Sequence, residues 1–130
     1  VSASIDAAFS LGTEIREGFD WSQFIDNRKQ MLIICPEIYF EIAPTVSSLN
    51  INEIPELHQE LVNQKLIAID NIYLNILERP INFNIQQLSV TEKSKIELLL
   101  KKHIVWLKES NNTVLLVKDF ENICTYMKLR

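Results

Sequence analysis

One long amphipathic segment constrains the fold of this chain more than any other feature. Between residues 90 and 108, apolar side chains follow Ile96 at offsets of three, four, eight and eleven residues: Leu99, Leu100, Ile104 and Leu107. This spacing places them on one face of an α-helix, which completes a turn about every 3.6 residues. The sequence therefore predicts a helix from Val90 to about Lys108 that packs one face against a core.

Shorter apolar runs alternate with further helical segments and indicate an α/β fold. Strands are predicted at 1–5, 31–35, 66–69 and 113–117, and helices at 7–19, 20–30, from 36 onward, 54–65, 71–77 and from 119 onward. Strands that alternate with helices favour a layered fold with a mainly parallel sheet. Because only Gly12 and Gly18 occur, a Walker loop and a GxGxxG fingerprint are both excluded.

Length and charge bound the remaining possibilities. The 130 residues predict a single domain over 1–130. The 13 basic and 17 acidic side chains give a net charge of −4, so no broad basic face for nucleic acid is expected. No apolar run approaches the roughly 18 residues of a membrane helix, and no secretory signal is visible, so no membrane contact is expected. Cys35 and Cys124 are predicted to be reduced thiols of a cytoplasmic protein.

Four acidic residues occupy positions where ligands gather in α/β folds, outside the carboxyl ends of strands. Asp6 follows the first predicted strand and Asp119 follows the last. Glu41 lies within two helical turns of the strand that ends at Cys35, on or beside an apolar face. Glu92 lies one turn before the apolar face of the long helix begins.

Clustered carboxylates repel one another unless a positive charge lies between them, and the usual solution is Mg²⁺ or Mn²⁺. Such an ion activates water and stabilises charge on a phosphate. The sequence also allows a simpler interpretation, in which Asp119 is the N-cap of the last helix and Glu92 complements a helix dipole.

The chain resembles the PIN-domain family in the order of four segments, "SIDAAFSL", "LIICPEIYFEI", "LSVTEKSKIELLL" and "TVLLVKDFENICTYMKL". The resemblance is to small stand-alone prokaryotic PIN-like proteins related to the toxin ribonucleases of toxin–antitoxin pairs. It implies a three-layer α/β/α sandwich with a mainly parallel central sheet. It also implies that Asp6, Glu41, Glu92 and Asp119 are the catalytic metal ligands.

The function implied by this resemblance is Mg²⁺- or Mn²⁺-dependent hydrolysis of RNA, with RNA as substrate, a cognate antitoxin protein as partner and a homodimer as the assembly. Two departures from the family pattern are Ala7, where Thr or Ser is common, and Lys118, which would contact substrate phosphate or replace a metal charge. Glu97 is the alternative to Glu92 as third acid. The alternative function is a catalytically degraded PIN-like domain that acts as a protein-interaction module.

Other residues receive weaker functional interpretations. His58 is expected to be solvated on the polar side of its helix, and His103 to be a hydrogen-bonded, semi-buried histidine on an apolar face. The segment "KKHIVWLK", residues 101–108, is the best local candidate for RNA contact. A third class, a receiver-like regulator, would pair Asp6 with Lys118.

Overall fold

The computed structural model describes residues 1–129, which are mainly helical. Within them lie α1 (Phe9–Ile15), α2 (Trp21–Ile34), α3 (Ile54–Asn63), α4 (Val90–Lys108) and α5 (Val114–Lys128), with 3₁₀ turns at Ile81–Phe83 and Ile85–Gln87. The strands are β1 (Ser2–Ala3), β2 (Glu41–Ile42), β3 (Thr45–Val46) and β4 (Asn75–Ile76).

The four strands form two separate parallel pairs and no central sheet. In β1–β2 the register pairs Ser2 with Glu41, and in β3–β4 it pairs Thr45 with Asn75. A single parallel bridge joins Ile42 to Ile72. The predicted PIN-like three-layer sandwich is therefore wrong, since pairs of two residues per strand cannot form a layer on which helices pack from both sides.

The predicted strand at 31–35 is the end of a helix. Asp20 caps α2, and its carboxylate accepts a hydrogen bond from the backbone N–H of Gln23 at 3.0 Å. The apolar residues at 31–34 continue the helix begun there, and Ile33 and Ile34 are exposed. A short apolar run has the same appearance in a buried strand and in a helix, because periodicity needs a longer window. The helix predicted from Pro36 does not form, and Glu41 lies in β2.

The predicted strand at 113–117 is likewise the start of a helix. The Thr113 hydroxyl donates to the carbonyl oxygen of Leu107 at 2.9 Å, and α5 begins at the next residue. Its buried side chains follow helical spacing: Leu116, Val117, Phe120, Ile123, Cys124 and Met127. The predicted strand at 66–69 is also absent from the described residues, and the region predicted as a helix at 71–77 contains β4.

Helices are present where four were predicted: α1 is shorter than the predicted 7–19, and α2 extends beyond the predicted 20–30. The bounds of α4 agree with the prediction, and α3 ends two residues before the predicted end at 65. The apolar faces of α3, α4 and α5 meet in the core, where the most completely buried side chains include Leu57, Leu61, Leu100, Leu107 and Phe120. No helix in the described part of the chain is long and apolar enough to cross a membrane.

Candidate ligand-binding site

Asp6, the first predicted metal ligand, is buried and hydrogen-bonded through both carboxylate oxygens. Oδ2 accepts from Nη2 of Arg16 at 3.0 Å, and Oδ1 accepts from the backbone N–H of Thr45 at 2.9 Å. The Arg16 guanidinium thus provides the positive charge that the metal ion was expected to provide. Asp6 joins the residues around α1 to β3.

Glu41 and Glu92 have local partners. Glu41 is half-buried in β2, and its Oε2 accepts a hydrogen bond from the Tyr39 hydroxyl at 3.2 Å. Glu92 forms a capping box with Ser89 at the start of α4: the Glu92 N–H donates to Ser89 Oγ at 3.1 Å, and the Ser89 N–H donates to the Glu92 carboxylate at 3.3 Å. The first-turn interpretation of Glu92 is therefore confirmed.

Asp119 and Lys118 are exposed neighbours within α5, where Asp119 lies in the second turn and is not the N-cap. Glu97, the alternative third acid, forms ion pairs with Lys101 and Lys128. Among residues 1–129, no three His, Cys, Asp or Glu side chains are close enough together to hold a metal ion. The structure thus leaves the four predicted ligands on separate segments.

The two histidines form a buried chain of hydrogen bonds. His58 is 0% exposed and His103 is 1% exposed. Nδ1 of His58 lies 2.9 Å from Nε2 of His103. At the two ends of the chain of hydrogen bonds, Nε2 of His58 lies 2.7 Å from the Ile69 carbonyl oxygen, and Nδ1 of His103 lies 3.1 Å from Nε2 of Gln59. The prediction of a solvated His58 is wrong, and that of a hydrogen-bonded His103 is confirmed.

These contacts fix the tautomers of both rings. A carbonyl oxygen only accepts, so His58 carries its proton on Nε2 and accepts at Nδ1. His103 must then donate from Nε2 and accept at Nδ1 from the Gln59 amide. Burial lowers the pKa of His58 to about 4, and burial together with the charge of His58 lowers that of His103 to about 3. Both are neutral and enclosed, which makes this pair part of the core.

Arg28 is a buried cation in the middle of α2. Its side chain is 8% exposed, its Nε donates to the Leu66 carbonyl oxygen at 2.7 Å, and its Nη1 donates to the Met31 sulfur at 3.2 Å. The guanidinium carbon lies 4.1 Å from the centre of the Phe40 ring. Burial lowers the pKa of Arg28, because the charged form is desolvated.

No carboxylate within the described residues lies within 4.0 Å of a nitrogen of Arg28. Sulfur is a weak acceptor, so one guanidinium has a single strong protein acceptor, Leu66, for its five N–H groups. Transferring an unpaired charge out of water is costly, and a cation–π contact recovers only about 0.5–2 kcal/mol. Of the two charged residues that are buried in the described part of the chain, Asp6 and Arg28, only Arg28 has no oppositely charged partner.

Arg28 lines a cavity of about 400 Å³ that lies beside α2. The cavity wall is mostly apolar and includes the side chains of Phe19, Phe24, Met31 and Phe40. Asp20 is also part of the lining, but it lies at the start of α2, eight residues or roughly 12 Å of helix from Arg28. Gln23 and Asn27 add two neutral polar groups to the lining. Mostly apolar walls with a few polar groups are typical of sites for small ligands.

The sequence contains a signal for Arg28. Phe24, Arg28 and Met31 are spaced by four and three residues, which places the arginine on the same helix face as two apolar side chains. A basic residue within the apolar stripe of a helix is unusual and indicates either a buried partner or a ligand.

Comparison with protein-family models, with curated proteins and with solved structures finds no match for this chain.

Proposed function

We propose that this chain is a ligand-binding domain that holds a small apolar carboxylate in the cavity around Arg28. The observation that carries the proposal is a buried guanidinium, without an acidic partner in the described residues, in the wall of an aromatic-lined cavity. A ligand carboxylate accepts two parallel N–H bonds from an arginine, a geometry that an ammonium group cannot reproduce.

The cavity determines what the rest of the ligand must be. A volume of about 400 Å³ lies at the small end of ligand pockets, and its apolar wall favours a hydrocarbon body over a sugar or a nucleotide. The acidic surface charge, with a net charge of −4, disfavours polyanions more than a single carboxylate. A medium-chain monocarboxylate satisfies each of these conditions.

The ribonuclease predicted from the resemblance remains a hypothesis without a supporting site. It requires clustered metal ligands, and the described residues bring no such group together. Asp6 is hydrogen-bonded to Arg16, and Glu92 caps α4.

Calorimetric titration of the protein with decanoate tests the proposal, with decanol and decyltrimethylammonium as neutral and cationic probes of the same chain length. Decanoate is expected to bind at least about tenfold more tightly than decanol, which corresponds to about 1.4 kcal/mol. In Arg28→Met this preference is expected to vanish while decanol binding is kept. Arg28→Lys is expected to keep only part of it, since lysine provides no planar fork.

The matched control is Lys29→Met, which removes the same charge from an exposed neighbour on α2. It is expected to leave decanoate affinity unchanged. Equal losses for decanoate and decanol in Arg28→Met would mean that Arg28 only holds the Leu66 carbonyl, and no binding of any probe to the wild type would refute the proposal.

We also propose a cytoplasmic location for this domain. The support is that Cys35 and Cys124 are both free thiols, Cys124 being buried and Cys35 half-buried. Free cysteines persist in reducing compartments and are uncommon in secreted domains. Fractionation of cells that produce the tagged full-length protein tests this location.

A further inference from the structure

Two apolar side chains at the start of α5 face solvent. Val114 is 81% exposed and Leu115 is 79% exposed, whereas the next two apolar residues of the helix, Leu116 and Val117, are buried. Val114 and Leu115 can neither cap the helix nor interact with its dipole as Ser, Thr, Asp or Glu would at its start. Together they form a small exposed apolar patch.

These side chains border a cavity of about 520 Å³ that two acids also line. Its wall contains the buried side chains of Ile72 and Leu116 and the exposed side chains of Asp70 and Asp119. No lysine or arginine in the described part of the chain lies within 4.0 Å of either carboxylate. We call Asp70, Ile72, Val114, Leu115 and Asp119 the acidic apolar face.

The outward side of α4 has the opposite charge. Leu98 and Val105 are both more than 60% exposed and lie seven residues apart, so they share one side of the helix. Lys102 and Lys108 are exposed on that side as well. Neither lysine has a carboxylate partner among residues 1–129. We call Leu98, Lys102, Val105 and Lys108 the basic apolar face.

We propose that this chain self-associates, with the acidic apolar face of one copy packed on the basic apolar face of another. Each face carries two exposed aliphatic side chains and two unpaired charges, and the signs of the charges are opposite. Contact would remove four large apolar side chains from water and place two lysines near two aspartates. Because each copy carries both faces, association produces either a closed ring or an open chain of copies.

Sedimentation of the wild type from micromolar to high-micromolar concentration tests this proposal. The weight-average mass is expected to rise with concentration and to fall in half-molar sodium chloride, because partly exposed charge pairs are screened by salt. Asp70→Lys/Asp119→Lys is expected to be monomeric, and so is Lys102→Glu/Lys108→Glu.

A mixture of the two variants provides the sharpest result. The acid-reversed variant retains a basic apolar face and the lysine-reversed variant retains an acidic apolar face, so the mixture is expected to associate although neither variant does so alone. Asp26→Lys/Glu37→Lys changes two exposed acids elsewhere by the same charge and is expected to associate as the wild type does. A wild type that is monomeric throughout would overturn the proposal, and so would charge-reversed variants that still associate.

Discussion

Nδ1 of His58 and Nε2 of His103 lie 2.9 Å apart in the core, and Nδ1 of His58 must be unprotonated to accept the hydrogen bond from His103. A proton added to Nδ1 of His58 would face the N–H of His103, so two donors would oppose each other. The rings are enclosed by Trp106 and Phe120, with Gln59 and the Ile69 carbonyl as their other polar neighbours. Among the described residues, no carboxylate lies within 4.0 Å of either ring to stabilise an imidazolium.

The pair therefore makes stability depend on pH. Burial lowers the pKa of His58 to about 4 and is the larger cause that lowers the pKa of His103 to about 3, whereas both take a value near 6.5 in the unfolded chain. Below pH 6.5 the unfolded chain binds more protons than the folded chain, so the free energy of unfolding falls as the pH falls. The loss reaches about 1.4 kcal/mol per pH unit for each histidine.

Urea unfolding between about pH 7.5 and about pH 5 measures this slope, in a range above that in which carboxylates titrate. His103→Leu is expected to be less stable at neutral pH but to show about half the wild-type slope, because one titrating group is removed. A slope near zero in the wild type over this range would contradict the neutral pair.

Asp6 is expected to contribute to stability rather than to metal binding. Asp6→Asn keeps an acceptor for the Thr45 N–H but turns an amide toward Arg16, and Asp6→Ala loses both contacts. We expect a loss of about 1–2 kcal/mol for the asparagine and more for the alanine. Asp26→Asn is the exposed control. Thermal unfolding with and without Mn²⁺ measures the effect, and stabilisation of the wild type alone by Mn²⁺ would contradict the interpretation.

Asn50 is expected to be the most sensitive polar residue of the described core. Its Nδ2 donates to the backbone oxygens of Asp6 at 2.7 Å and Thr45 at 2.9 Å, and its Oδ1 accepts from the Ser47 N–H at 2.8 Å. Asn50→Ala removes the side-chain partner of three backbone groups in buried or part-buried positions, which we expect to cost about 3 kcal/mol or more in the free energy of unfolding. Denaturant unfolding compares it with Asn52→Ala, whose side chain is exposed.

Ser89 is expected to stabilise α4 through the capping box. Ser89→Ala removes the acceptor for the Glu92 N–H, and the expected loss is about 1 kcal/mol. Ser94→Ala makes the same chemical change at an exposed position inside α4 and is expected to be neutral or slightly stabilising, since alanine favours helix interiors. Similar losses at both positions in urea unfolding would argue against the cap.

The sequence predicted α4 well because its apolar spacing extends over several turns and excludes a strand. The strand predictions at 31–35 and 113–117 are wrong because four or five consecutive apolar residues fit either a strand or a helix. The segments that pack on each run decide between a strand and a helix, and those segments are distant in sequence. Without the predicted central sheet, the acids have no shared strand edge at which to meet.

Side-chain environments were harder to predict than helices. His58 follows Ile54 and Leu57 and precedes Leu61, offsets that place it on the buried face of α3, so its burial was readable from the spacing. The ion pair between Asp6 and Arg16 could not be predicted. A sequence shows which carboxylate is isolated among apolar residues but not which basic side chain forms an ion pair with it.

The segment 41–46 has a consequence for the order in which the chain assembles. It pairs with residues 1–3, from which α1 and α2 separate it in sequence. It also pairs with residues 71–77, from which α3 separates it in sequence. Both contacts close long loops, whereas α4 and α5 are joined by a short connection and meet early. We therefore expect the helical pair to form first, and the 41–46 segment to pair last and to open first. Amide hydrogens of Ile42 and Tyr73 should accordingly exchange with solvent well before those in the centre of α4.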